Sequence, residues 1–236
     1  TEGIKAELTN KTGCGFTPIG NYFSGTFDGQ GMEIRNLYVN TTNGYAGLFG
    51  YVRGGTIKNL VVTGTVSSNS NSNTKKSFSY AGGIAGYIFD SKIIKCYSAE
   101  NISSSSSTND VYVGAKSYAG GIAGYISNSS ITNCHNTGNI SGSSSIIGAA
   151  NNCYVYAGGI AGYISNSSTT NCSNVGGVDG SSSWIHCYVY EGGIAGYIYN
   201  SSITNCCNKR DLSSNFGYCI GGIAGSASGN ITNCYN

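Results

Sequence analysis

The stretch GGIAGYISNSSITNCHN, residues 120–136, decides the fold because it returns almost unchanged along the chain. Residues 158–174 read GGIAGYISNSSTTNCSN. Further copies of the GGIAGYI part, including a degenerate GGIAGSA and an earlier GLFGYV, lie at Gly82–Ile88, Gly192–Ile198, Gly221–Ala227 and Gly47–Val52. Repetition with a period of 20 to 50 residues is typical of solenoids and related arrays.

When the repeats are aligned on the last glycine of each motif, residues at matching positions form columns. One column is apolar or cysteine: Leu60, Cys96, Cys134, Cys172, Cys206 and Cys234. A second is isoleucine with one threonine: Ile57, Ile93, Ile131, Thr169, Ile203 and Ile231. A third is asparagine with one lysine: Asn59, Lys95, Asn133, Asn171, Asn205 and Asn233. Such columns predict in-register parallel strands about 4.8 Å apart, with isoleucines filling a core and asparagines bonding along a turn.

The repeat therefore predicts an all-β fold, a right-handed parallel β-helix built as a three-sided solenoid of about six to seven coils. We expect a single domain over residues 1–236, with residues 1–43 as cap and first coil and residues 44–236 as the repeats. Each coil has three strand-like pieces, GGIAGYI, SSITNC and a VYV-like piece; the last occurs at Val111–Val113, Tyr154–Tyr156 and Tyr188–Tyr190.

Alternation along the strands predicts which side chains face inward. In the first piece, Ile84 and Ile88 should point into the core and Tyr87 outward, since side chains of a strand alternate between its two faces. The serine-rich stretches fall where the repeat changes length, and we expect them to be loops protruding from one edge: Ser67–Ser77, Ser103–Asp110, Ser141–Ser145 and Ser181–Ser183.

Composition excludes some classes of partner. The formal net charge is +2 and only 9% of residues are charged, so we expect no nucleic-acid partner, because phosphate binding needs a dense basic face. No apolar run approaches the roughly 18 to 20 residues of a membrane-spanning helix. The first residues, TEGIKAELTN, lack a hydrophobic leader, and we expect a processed product or a fragment of a larger protein.

Several segments resemble GLUG-motif repeats of bacterial surface proteins, whose signature combines an AGGIAGY-type strand with a GTITNCYN-type strand. GTFDGQGMEIRNLYVN at Gly25–Asn40 is similar to the sequence that often precedes such repeats, and GYAGLFGYVRGGTIKNLVVTGTV at Gly44–Val66 is a close match. The resemblance covers about residues 25–236. Members occur in adhesins and beside the protease domain of IgA-specific metallopeptidases, where the repeats are not the catalytic part. The resemblance implies a β-helical stalk or binding surface.

The expected function is a non-enzymatic, structural or adhesive β-solenoid in an extracellular or cell-surface protein, without a cofactor. A glycan or a surface protein is the expected partner. One alternative is a fibre subunit that self-associates by head-to-tail stacking of solenoid ends. A second is a carbohydrate-active enzyme, because polysaccharide lyases and glycosidases also use parallel β-helices and need clustered carboxylates.

A column of tyrosines supplies the candidate binding face, because exposed rings stack on sugars or on a protein partner. Alternatively, the rings only cover one another and shield a glycine-rich face. The column consists of Tyr51, Tyr87, Tyr125, Tyr163 and Tyr197.

The cysteines need two explanations. For the column that contains Leu60, packing of buried thiols is favoured over disulfides between coils. Cys153 and Cys187 precede the glycine pairs of successive repeats by the same distance, so they should lie over one another as the best disulfide candidate.

The remaining polar residues give no catalytic constellation. His135 and His186 lie far apart, which argues against a zinc protease. Asp90, Asp110, Asp179 and Glu191 fall at different phases, and Asp28 in FDGQG is typical of a tight turn. Three Asn-X-Ser/Thr sequons occupy one phase and would carry glycans in a eukaryotic secretory protein: Asn128, Asn166 and Asn200.

Overall fold

The fold is known from a computed structural model. It describes residues 15–20, 22–72, 76–109, 114–146, 153–182, 187–210, 212 and 219–236. Within these ranges the chain is all-β and has no helix. All of the ladders between named strands are parallel, which confirms the predicted β-solenoid. The right-handed winding, the three sides and the number of coils stay predictions.

The structure contains 23 described strands. They are β1 (Thr26–Asp28), β2 (Glu33–Thr41), β3 (Tyr45–Ala46), β4 (Phe49–Arg53), β5 (Thr56–Ser72), β6 (Ser77–Gly82), β7 (Ala85–Phe89), β8 (Lys92–Thr108), β9 (Ala115–Gly120), β10 (Ala123–Ser127), β11 (Ser130–Thr132), β12 (His135–Asn136), β13 (Ile140–Ile146), β14 (Cys153–Gly158), β15 (Ala161–Ser165), β16 (Ser168–Thr170), β17 (Ser173–Asn174), β18 (Val178–Ser182), β19 (Cys187–Gly192), β20 (Ala195–Thr204), β21 (Cys207–Asn208), β22 (Cys219–Gly221) and β23 (Ala224–Thr232).

Each repeat passes through two sheets. Strands β3, β6, β9, β14, β19 and β22 form a six-stranded sheet, and the other seventeen strands form the second sheet. In one repeat, β9 belongs to the first sheet, and the chain then enters the second through β10, β11, β12 and β13. The predicted VYV-like pieces at Tyr154–Tyr156 and Tyr188–Tyr190 lie in β14 and β19, whereas Val111–Val113 lies outside the described residues.

The register of the sheets places matching residues over one another. Ile57 pairs with Ile93, Ile93 with Ile131, and Ile131 with Thr169. Along this column the side chains from Ile57 to Ile203 are fully buried. Ile84 and Ile88 are also fully buried and Tyr87 is half-buried, in line with the inward and outward faces predicted for this strand.

Residues with left-handed φ angles, most of them asparagines, turn the chain at two corners of the coils. At one corner Asn133, Asn171 and Asn205 have φ angles of 55°, 53° and 53°, in the left-handed region that asparagine tolerates better than most residues. Their amides bond from coil to coil: Asn171 Nδ2 donates to Asn133 Oδ1, and Asn205 Nδ2 to Asn171 Oδ1, both at 3.2 Å. The predicted asparagine column is therefore a hydrogen-bonded ladder. The second corner carries Asn128 and its counterparts.

Where the structure describes them, the serine-rich stretches are strands, so the expectation that they form loops was wrong. They continue β5 to Ser72 and β8 to Thr108, make up most of β13 and form the end of β18. Ser104 is fully buried; its hydroxyl donates to the carbonyl of Ser79 at 3.0 Å, and the Ser117 hydroxyl donates to the carbonyl of Ser104 at 2.9 Å. These serines satisfy their polar groups across the two sheets, so a buried polar layer replaces an apolar core here.

The cysteine column is buried, and its thiols are free. Exposed fractions are 2% or less from Leu60 to Cys206, while Cys234 on the last coil is partly exposed. Packing is not the whole role of these thiols. The Cys134 backbone N–H donates to Cys172 Sγ at 3.4 Å, and Cys134 Sγ donates to the carbonyl of Thr132 at 3.4 Å. Sulfur therefore satisfies a backbone N–H that follows the left-handed corner.

The N-terminal strands lie on the same stack as the repeats. β1 pairs with β5 through Thr26 and Thr56, and β2 pairs with β5 along most of its length, with an irregularity between Ile34 and Leu37. Residues 26–41 are thus part of the parallel array. The boundary between residues 1–43 and 44–236 stays a prediction.

Candidate functional site

The predicted tyrosine face is a stack of rings that pack on one another. Tyr125 and Tyr163 have ring centroids 4.9 Å apart and an interplanar angle of 3°, and Tyr163 and Tyr197 are 5.0 Å apart. At the other end Tyr51 meets Tyr87 edge to face at 4.9 Å. All five side chains of the column are half-buried. The rings are thus less available to a ligand than an outward column suggests.

A second tyrosine ladder, which the sequence reasoning missed, covers the first. Its members are Tyr45, Tyr80, Tyr118, Tyr156 and Tyr190, in register on the six-stranded sheet. Tyr118 is 5% exposed, and it stacks on Tyr80 at 4.7 Å and meets Tyr125 of the first ladder at 77°. The signal was present: a tyrosine stands two residues before the glycine pair in four of the repeats.

The two ladders keep the phenols neutral. Burial raises the pKa of Tyr163 to about 12 and raises the pKa of Tyr118 and Tyr156 further. Perpendicular aromatic pairs contribute about 0.5–1.5 kcal/mol beyond the area that they bury. The geometry favours the structural explanation for the tyrosines, in which the rings cover the glycine-rich corner, and binding by this face stays a prediction.

A third ladder runs inside the solenoid behind the glycine pairs. Asn136 Nδ2 donates to Asn174 Oδ1 at 2.8 Å, and Asn174 Nδ2 donates to Asn208 Oδ1 at 2.9 Å, with all three side chains fully buried. A methyl group on Gly121 would lie 2.3 Å from Asn136 Cγ and 2.3 Å from the Gly159 carbonyl oxygen. The second glycine of each pair therefore makes room for the buried amide.

The coil before that of Asn136 holds a buried acid beside this interior column. Glu100 is fully buried, and neither of its carboxyl oxygens has a hydrogen-bond partner among the described residues. Burial raises the pKa of Glu100 well above its usual range, which favours the protonated, uncharged form of the side chain. Ser98, on the same strand as Glu100, occupies the position of Asn136 in the column and also has a buried hydroxyl without a partner in the described part of the chain. Glu191, on a different strand, is fully buried as well.

The other acidic residues that the structure describes lie on different elements. Asp28 accepts hydrogen bonds from the Gln30 backbone and the Asn59 amide and pairs with Lys58 at 3.2 Å. These contacts lower the pKa of Asp28, the Asn59 hydrogen bond most strongly. Asp90 is at a corner and Asp179 is in β18; Asp110 lies outside the described residues.

The structure gives no metal site in the residues it describes, where no three histidine, cysteine or acidic side chains cluster. His135 is half-buried beside Tyr97, with ring centroids 5.2 Å apart, and its Nδ1 hydrogen-bonds to Ser173 Oγ. Burial lowers the pKa of His135. His186 lies outside the described residues.

Cys153 and Cys187 lie over one another, as the spacing predicted. They are register partners on β14 and β19, their Cα atoms are 4.5 Å apart, and the structure joins them by a disulfide. Both side chains are fully buried. Their oxidation in the native protein stays a prediction.

A polar groove of about 890 Å³ runs along the second asparagine corner, from coil to coil. We call it the asparagine–serine groove. Its first wall is the corner column Asp90, Asn128, Asn166 and Asn200, with φ angles of 45° to 50°. Its floor is the buried column Ser91, Ser129, Ser167 and Ser201. Its second wall is the column that consists of the exposed Lys92 and the half-buried Ser130, Ser168 and Ser202.

Hydrogen bonds fix the floor of the groove. The Ser129 backbone N–H donates to Ser167 Oγ at 3.0 Å, and the Ser167 N–H donates to Ser201 Oγ at 2.9 Å. Each floor hydroxyl also donates to the carbonyl two residues earlier, as Ser129 does to Ser127 at 2.6 Å. The pattern is the one that the cysteine column makes at the other corner. The three predicted sequon asparagines, Asn128, Asn166 and Asn200, lie in the exposed wall.

In the part of the chain that the structure describes, no helix has the length and apolar character needed to cross a membrane.

Comparisons with known proteins agree with this architecture. Residues 116–141, from β9 into β13, match the family described as "The GLUG motif". The chain is similar to a crystal structure from Bacteroides ovatus named "putative immunoglobulin A1 protease", with a TM-score of 0.61 and 23% sequence identity. The match covers 89% of this chain and 59% of that one, so it shows the shared fold. Comparison with curated proteins gave no match. The chain carries the GLUG motif on a β-solenoid, and its predicted resemblance to GLUG-motif repeat proteins is confirmed.

Proposed function

We propose that this chain is a non-enzymatic structural and adhesive element, a scaffold or stalk of an extracellular or cell-surface protein. The observation that carries the proposal is the continuity of its ladders. Isoleucine, cysteine, asparagine and tyrosine columns each run through successive coils. Because each coil is held to the next by the same contacts, the array resists bending, which suits a spacer between a cell and its surroundings.

The placement of the carboxylates supports a non-enzymatic role. Glycosidases need two carboxyl groups that face one substrate, whereas Glu100 and Glu191 are fully buried and Asp28 is paired with Lys58. The Cys153–Cys187 pair supports an extracellular location, because disulfides persist in oxidising compartments.

Surface labelling tests the location and the role together. Intact cells of the native organism are treated with a membrane-impermeant amine reagent, and the protein's lysines are mapped by mass spectrometry. Exposed lysines such as Lys92 should react before lysis. Labelling only after lysis would refute the extracellular proposal, and product release from acidic or neutral polysaccharides, with or without calcium, would refute the non-enzymatic one.

Self-association into a fibre is a second candidate, favoured by the register that repeats from coil to coil, as in the pairs Ser130–Ser168 and Ser168–Ser202. A further copy stacked in the same register would continue the array. Electron microscopy of concentrated protein should then show filaments, and short monodisperse rods would contradict this candidate.

A further inference from the structure

The asparagine–serine groove presents the same polar groups at every coil. Neighbouring coils put Ser130 next to Ser168 and Ser168 next to Ser202 in register. Parallel strands lie about 4.8 Å apart, so the hydroxyls form a row with that spacing. A ligand that makes use of this row must itself repeat along its length.

Much of the groove's hydrogen-bonding capacity is not used by the protein. Within the described residues, the side-chain hydroxyls of Ser130, Ser168 and Ser202 and the side-chain amide of Asn128 make no hydrogen bond. Asn200 Nδ2 donates to Asn166 Oδ1 at 2.7 Å, which holds that wall in place. Amides and hydroxyls both donate and accept, so the groove suits a ligand with many hydroxyl groups.

Charge and shape narrow the class of ligand. The lining contains one acid, Asp90, and one base, Lys92, on the same coil, and the rest of it is neutral. A polyanion or a polycation would therefore gain little from the groove. Its volume of about 890 Å³ lies in the roughly 300–1,000 Å³ range of ligand clefts. The lining has no large apolar side chain of the kind that anchors a peptide or protein partner.

Aromatic side chains directly precede the corner residue on two of the coils. Phe89 directly precedes Asp90, and Tyr199, which is 49% exposed, directly precedes Asn200. The two belong to one column, with Ser127 and Ser165 between them. The Arg53 guanidinium lies over the Phe89 ring at 5.7 Å, so the exposed ring of Tyr199 is the stacking platform that this column offers a sugar ring.

We propose that the asparagine–serine groove binds an extended, neutral polysaccharide along the solenoid axis, with one sugar residue at each coil. The rise per sugar in an extended, equatorially linked glycan is close to the strand spacing of about 4.8 Å. This inference deepens the proposed adhesive role and rests on it. Glycans attached to Asn128, Asn166 or Asn200 would fill the groove, so glycosylation of these sequons and polysaccharide binding exclude one another.

Titration calorimetry with protein produced without glycosylation tests the inference. The probes are β-1,4-linked glucan and mannan oligosaccharides from the disaccharide to the octasaccharide, with polygalacturonate as the charged comparison. Affinity for one neutral series should rise with length until the chain spans the groove and then level off. Affinity that does not depend on length, no binding of any neutral oligosaccharide, or salt-sensitive binding of polygalacturonate alone would overturn the inference.

A pair of lysine substitutions locates the site. S168K places a long side chain in the middle of the groove, at the position that Lys92 occupies in another coil, and should weaken binding about tenfold or more. N171K adds the same charge at the other corner, where Lys95 stands in its column, and should leave binding unchanged. Both variants have natural precedents in this chain, so unaltered circular dichroism is expected. Equal loss in both variants, or none in S168K, would overturn the groove as the site while leaving the surface-labelling result untouched.

Discussion

Thr169 is the position where the structure makes the sharpest prediction about stability. It interrupts the isoleucine column between Ile131 and Ile203. Its side chain is fully buried, and Oγ1 has no hydrogen-bond partner among the described residues. Leaving a buried hydroxyl unsatisfied costs about 1–3 kcal/mol. Thr169→Val keeps the branched shape and removes the hydroxyl, so it should raise the free energy of unfolding by about 1–2 kcal/mol.

Thr169→Ile should add up to about 0.8 kcal/mol more, because it buries one further methylene group within the isoleucine column. Urea unfolding followed by circular dichroism measures both changes as shifts of the midpoint at constant slope. In a chain of this size each kcal/mol corresponds to about 2–4 °C in melting temperature.

Thr170→Val provides the matched control for Thr169→Val. Thr170 is next in sequence but half-buried on the outer face, and its substitution should change stability by no more than about 0.5 kcal/mol. A Thr169→Val protein that is less stable than the wild type, or a Thr170→Val protein that gains as much, would refute the inward placement of Thr169.

Three further predictions concern the interior. Glu100→Gln should raise the melting temperature at pH 7 more than at pH 4. Burial raises the pKa of Glu100 in the folded state, so the folded protein binds more protons than the unfolded chain above about pH 4.3, and the stability of the wild type falls as pH rises through that value. Equal gains at both pH values would contradict this prediction. Gly121→Ala should lower the free energy of unfolding by about 1–3 kcal/mol or more through overpacking, because its Cβ would meet Asn136 and the Gly159 carbonyl at 2.3 Å. Gly25→Ala is the control and should be tolerated, because its Cβ would meet only the Phe23 ring, at 3.5 Å. Denaturant titration of both variants measures the difference. Cys153 and Cys187, separated by 34 residues, should appear as a linked peptide in non-reducing mass spectrometry, and reduction should lower stability by about 2–4 kcal/mol; alkylation of both thiols without a reductant would argue against the bond.

Columns whose residue type differs from that of the surrounding sequence were predictable. Isoleucine at 93 and 131 and cysteine at 96 and 134 stand out against a serine- and asparagine-rich background, so their stacking could be inferred before the structure. The same reasoning placed Cys153 over Cys187. In each case the side chain differs from its neighbours, which makes the phase of the repeat visible.

Polar ladders inside the solenoid were not predictable in the same way. A run such as Ser103–Ser107 has serine on both faces of the strand, so alternation gives no signal of which face is buried. Asn136 was likewise passed over, although it follows Cys134 at the spacing of the next inward side chain. What distinguishes these residues is the partner on the adjacent coil or the facing sheet, as Ser79 is for Ser104, and local sequence does not contain that partner.

The asparagine–serine groove and the second tyrosine ladder illustrate the same limit at the surface. The sequence shows Asn128 and Asn166 as sequons at one position of the repeat. The concave wall that they form depends on the left-handed corner and on the hydrogen-bonded serine that follows each of them. Tyr118 was visible in the sequence, yet its burial arises because Tyr125 from the next strand turns edge-on to it.

Disulfide trapping tests the stacking of coils most directly. Ser130 and Ser168 are register partners on neighbouring strands, at a spacing of about 4.8 Å that lies inside the Cα range of a disulfide. Under mild oxidation, a variant with cysteines at 130 and 168 should give the 130–168 linked peptide in high yield, whereas one with cysteines at 130 and 170 should not give its linked peptide. Efficient linkage of 130 to 170, with none between 130 and 168, would contradict the register on which the solenoid depends.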